Sequence, residues 1–72
     1  MKAFTATSVE QMYKKIREER LSQGLSQKEV AERAGIAIKT VSVAETGNCT
    51  PHLSKILAII KVLGYDVLVI KA

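Results

Sequence analysis

The side chains best suited to covalent or metal chemistry are scarce in this sequence: one cysteine, Cys49, one histidine, His52, and one aspartate, Asp66. Cys49 and His52 supply two of the four ligands a structural zinc ion takes, so neither a metal centre nor an internal disulfide is expected. Glu18 and Glu19 form the obvious carboxylate pair. Adjacent residues on a helix point about 100° apart, however, and do not converge on one substrate bond. Neither a phosphate-cradling glycine loop nor a nucleophile elbow is present. The chain reads as a binding protein without a cofactor, not as an enzyme. Its main chemical resource is positive charge, 11 Lys and Arg against 7 Asp and Glu for a net charge of +4. That surplus suits an anionic partner such as nucleic acid.

Seventy-two residues suit a single domain, 1–72. At this length only roughly 60% of the unfolded chain's surface can be buried, so a lone monomer would be marginal. With 47% hydrophobic and 25% charged residues the composition is that of an ordinary globular domain. With disulfides and metal set aside, oligomerisation is the remaining means of support. No apolar run approaches the ~20 residues of a membrane-spanning helix, and Met1 to Ser8 lacks the hydrophobic stretch of a signal peptide. A cytoplasmic protein is expected.

Gly24, Gly35, Gly47 and Gly64 divide the chain into segments of helical length. Start signals fall between them: Ser8 with Gln11 and Ser26 with Glu29 read as capping boxes, and Thr50 before Pro51 reads as a cap with proline at the first helical position. The first helix spans about Val9 to Ser22, with Val9, Met12, Tyr13 and Ile16 on its apolar face. The second runs from Gln27 to Ala34. In the third segment Ile36, Ile38, Thr40, Val41 and Val43 are β-branched, and local propensity alone would make it a strand. The fourth is a helix with Leu53, Ile56, Leu57, Ile60 and Leu63 as its core stripe, leaving Ile59 and Val62 as surplus apolar surface. After Gly64 comes a strand of about residues 66–71, with Ala3 to Thr7 as its only weak partner inside the chain.

Taken jointly, Gly24-Leu25-Ser26-Gln27-Lys28-Glu29-Val30-Ala31, Ala34-Gly35-Ile36, Thr40-Val41-Ser42, Glu45-Thr46-Gly47 and Pro51 form a specific combination. It resembles the lambda-repressor-like, Xre or Cro type, helix-turn-helix family, and the resemblance covers about Ile16 to Gly64. It implies an all-α, four-helix domain with a helix-turn-helix core at about 26–46 and a short C-terminal β-strand for dimerisation. The third segment then becomes a helix, about Ala37 to Thr46, against its local preference. Val30, Ala31, Ala34, Ile36, Val41 and Ala44 would be core.

The same resemblance implies sites. Ile38, Lys39, Ser42 and Val43 would face the bases of the major groove. Lys39 can donate to guanine, and Val43 and Ile38 can pack on a thymine methyl. Arg20, Gln27, Lys28, Thr40, Asn48, Thr50 and His52 would touch phosphates, which position the protein without reading sequence. Arg20 and Glu45 match a family pair that ties the first helix to the third. The sequence departs from the family at Val43, where Arg or Gln is frequent, and at Ala37, where a Ser or Thr cap is frequent.

The function this resemblance implies is that of a regulator, a repressor binding a palindromic double-stranded DNA operator as a homodimer. The short chain, the surplus apolar surface and the solitary strand place the expected dimer interface at Ile59, Val62, Val67, Leu68, Val69 and Ile70. Small size and a strand-forming tail also resemble the antitoxins of Hip and Hig toxin–antitoxin modules, which implies a toxin protein as a further partner. The alternative is an interaction module of the same fold that binds protein through Ile59, Val62 and the tail.

Overall fold

Local chemistry marks off the first two helices of this protein most sharply, and the computed structural model shows how. It describes residue 6, residues 8–46 and residues 51–66, with four helices in the order α1 (Val9–Ser22), α2 (Gln27–Ala34), α3 (Ile38–Thr46) and α4 (Leu53–Val62). The fold is all-α, as expected. Ser8 caps α1 by accepting the Gln11 backbone N–H at 3.1 Å. Ser26 caps α2 with both arms of a capping box: its hydroxyl accepts from Glu29 N and its own N–H donates to the Glu29 carboxylate, each at 3.0 Å.

Three helices end in the same way. The residue after a glycine sends its N–H back five positions, Leu25 to Arg20 O, Ile36 to Ala31 O and Tyr65 to Ile60 O, at 3.0–3.2 Å. Leu25, Ile36 and Tyr65 also pack against the core, so each helix stop doubles as an apolar latch. At the central turn Gly35 takes φ 71° and ψ 33°, the left-handed region that other residues enter at a cost.

The core is drawn from all four helices: Tyr13 and Ile16, Val30 and Ala31, Val41 and Ala44, then Ile56, Ile59 and Ile60 with Leu63 just beyond α4. α2 lies against both α3 and α4, and α1 against α3. This packing decides the third segment. Complete burial of Val41 and Ala44 is worth more than the penalty of a β-branched residue in a helix, a few tenths of a kcal/mol against about 1.5–3 kcal/mol for a buried valine side chain.

Several boundaries and faces differ from the sequence reading. α3 begins at Ile38, with the Ala37 carbonyl accepting from Thr40 N at 3.0 Å. α4 begins at Leu53, not at Pro51; His52 is its cap residue, without a side-chain capping bond, and its carbonyl accepts from Lys55 and Ile56. The core stripe of α4 is rotated as well, since Leu53 is 67% exposed and Ile59 is fully buried. Ile59 therefore belongs to the core of its own chain and offers no surface for a dimer or another protein. Val62 is half-buried against the same core. The expected interface residues Val67, Leu68, Val69 and Ile70 lie outside the described residues, as does Ala3 to Thr7 apart from residue 6. Asp66 makes a single-residue β-bridge, the only extended pairing among the described residues.

Candidate nucleic-acid interface

α3 is short and is preceded by Ala37, whose side chain has no atom that could cap it, so what holds the helix determines how sharply its outer face is presented. The main hold is Arg20, near the end of α1. Its Nε donates to Glu45 Oε2 at 2.7 Å and its Nη2 to Glu45 Oε1 at 2.9 Å, a two-pronged pair. Nη1 donates to the Leu25 carbonyl at 2.9 Å, tying in the loop before α2. The side chains are 10% and 2% exposed. Hydrogen bonding to Glu45, opposed by burial and aided by the carboxylate's charge, raises the affinity of the guanidinium for its proton.

Arg20 was expected both to pair with Glu45 and to reach a phosphate. The pair is present: each guanidinium nitrogen donates one N–H inside the chain, to Glu45 or to the Leu25 carbonyl, which leaves one further N–H on each of Nη1 and Nη2. Gln27, the first residue of α2, leans the same way, with Nε2 3.4 Å from Glu45 Oε1. It is half-buried, whereas its neighbour Lys28 is exposed. Just past the end of α1, Gln23 donates to the Leu63 carbonyl at 2.8 Å, joining the ends of α1 and α4.

With Val41 and Ala44 turned inward, the opposite side of α3 carries Lys39, Ser42, Val43 and Thr46 at three- and four-residue spacing. Lys39 and Thr46 are exposed, and Ser42 and Val43 half-buried. Ile38 stands at the N-terminal edge of this face, 51% exposed. Thr46 did not figure among the sequence-derived candidates, although its spacing from Ser42 and Val43 places it with them; its hydroxyl donates to the Val43 carbonyl at 3.3 Å.

Beside this face a groove of about 310 Å³ separates α3 from the start of α4, lined by Lys39, Thr40 and Val43 on one side and Pro51, His52 and Lys55 on the other. Lys55 was also missed. It follows His52 by three residues and so shares its side of the first turn. Asn48 and Thr50 lie outside the described residues. Glu18 is exposed and 4.0 Å from Lys14, a surface contact with no partner acid across it.

A stable outer face on α3, the sharp turn at Gly35 and basic side chains at both flanks match the way a helix-turn-helix meets duplex DNA: the second helix enters the major groove and the surrounding elements touch the backbone. The sequence pattern of the helix-turn-helix family matches residues 16–70. A comparison with curated proteins finds no match. Among the described residues no helix is long and apolar enough to cross a membrane. The chain belongs to the Xre, lambda-repressor-like helix-turn-helix family of DNA-binding transcription regulators.

Proposed function

We propose that this regulator is a repressor that acts in the cytoplasm as a homodimer on a palindromic operator, with one α3 in each of two half-sites about 34 Å apart. The observation that carries the reading is the buried clamp of Arg20 on Glu45. It fixes α3 to the rest of the domain, so that Lys39, Ser42, Val43 and Ile38 meet base edges in a constant register. Thr46 extends that face. Gln27, Lys28, Thr40 and His52, now joined by Lys55, surround it as backbone contacts.

Operator selection from a random duplex library tests the division of roles. Val43→Gln should return a different preferred sequence, with about 1–3 kcal/mol lost on the original site per base contact broken. Lys28→Ala should weaken every sequence alike. Identical consensus sequences from both variants would refute the assignment. Light scattering on the free protein and its complex checks the dimer, and a monomer bound to a single half-site would remove the palindrome.

The resemblance to Hip and Hig antitoxins extends the reading to autoregulation, in which a toxin encoded beside this gene binds the same dimer. Co-expression with the adjacent gene product should yield a stable complex with altered operator affinity. Two proteins that elute separately would end that extension.

A further inference from the structure

The groove between α3 and α4 gathers three basic side chains from two helices: Lys39 from α3, and His52 and Lys55 from the start of α4. Thr40 adds a hydroxyl, while Val43 and Pro51 form apolar walls. Among the described residues no carboxylate lines it, and the acid on α3, Glu45, is committed to Arg20. An imidazole is the one side chain whose ordinary titration, around pH ~6.5, falls inside the neutral range. The groove thus sets an imidazole beside two ammonium groups.

We infer that this groove seats a phosphate of the DNA backbone and that His52 takes up a proton on binding it, making DNA affinity stronger in mild acid than in mild alkali. The inference rests on the DNA-binding reading and adds its regulation. A phosphodiester favours the imidazolium, so the complex keeps its proton to a higher pH than the free protein does. The added affinity is fully present below the titration of the free protein and is lost as pH rises through that of the complex. One proton limits the slope to about tenfold per pH unit. For an exposed charge pair the whole change amounts to about two- to fivefold.

Phosphate contacts ignore sequence, so a labelled random-sequence duplex is a sufficient probe. Its affinity is measured by fluorescence anisotropy from about pH 5.5 to about pH 8 at constant ionic strength, a window centred on imidazole titration. His52 is the only histidine in the sequence, which makes the variants clean. His52→Gln should be flat at the weaker, alkaline level, and His52→Arg flat at the stronger, acidic level. Lys55→Gln should keep the pH dependence but reduce the salt slope by about one.

A wild-type profile without slope, or a slope that survives His52→Gln, overturns the proton linkage while leaving DNA binding intact. A salt slope unchanged in Lys55→Gln overturns the seating of phosphate in this groove. Absence of binding at every pH overturns the DNA-binding reading of this chain, and the linkage with it.

Discussion

Cutting Glu45 back to alanine strands the Arg20 guanidinium. Of its bonds at 2.7 and 2.9 Å to the carboxylate and 2.9 Å to the Leu25 carbonyl, only the last survives, on a side chain 10% exposed. Arg20→Ala strands Glu45, whose side chain is 2% exposed and keeps only the 3.4 Å contact from Gln27. Breaking one member of a buried pair costs about 3–5 kcal/mol. In a small domain with a total near the lower end of the usual 5–15 kcal/mol, that is most of the stability. The two variants should differ in pH response. A stranded carboxylate can escape by taking up a proton, which limits its penalty to about 4 kcal/mol at neutral pH and relieves it in acid. A guanidinium has no such exit. Arg20→Ala should therefore recover stability as pH falls from 7 toward 5, and Glu45→Ala should not. Replacing both at once, Arg20→Met with Glu45→Leu, removes the charges together and should be far milder than the sum of the single changes. Urea unfolding followed by far-ultraviolet circular dichroism measures all three. Single variants that each lose less than about 1 kcal/mol, the range of an exposed pair, would refute the claim that burial makes this clamp decisive.

Tyr13 is 5% exposed, and among the described residues its hydroxyl has no hydrogen-bond partner. Tyr13→Phe should leave the unfolding free energy unchanged or raise it by up to about 1–3 kcal/mol of relieved desolvation, and a clear loss would reveal a bond at that hydroxyl. Gly35→Ala meets open space around the added Cβ. Its cost should be the backbone penalty alone, about 1–2 kcal/mol, and an unaltered unfolding midpoint would show the turn to be free of that constraint. The Ser26 backbone N–H, and after it the Ser26 hydroxyl, hold the Glu29 carboxyl below its ordinary value of 4.5. Since the folded state holds this proton less tightly, the capping box stabilises above that pH and is lost as pH falls through the depressed value. Glu29→Gln should flatten the acid limb of the stability profile, and an unchanged limb would assign acid unfolding to other groups.

The helix limits of α1 and α2, the capping box at Ser26 and the glycine stops could be read directly from the sequence, because each depends on residues within one turn of each other. The helix-turn-helix pattern was legible for the same reason: glycine, cap and alanine stand at fixed short spacing. Where interactions span the chain, local reading failed. Ile36, Ile38 and Val41 favour a strand, and only burial of Val41 and Ala44 against α1 and α2 makes the segment a helix. The periodicity of α4 established a helix but put Leu53 inside and Ile59 outside, the reverse of what the structure shows. That choice belongs to the packing of α4 on the other helices, which buries Ile59 in the shared core and leaves Leu53 at the helix start 67% exposed. Arg20 looked equally fit for a phosphate and for Glu45. Twenty-four residues of intervening chain had to fold before the carboxylate took both of its prongs. The basic groove is likewise a product of tertiary structure, since Lys39 becomes a neighbour of His52 and Lys55 only when α3 and α4 meet. Short-range chemistry is set by spacing along the chain, but burial and charge pairing depend on which distant surface arrives, and that was decided by packing.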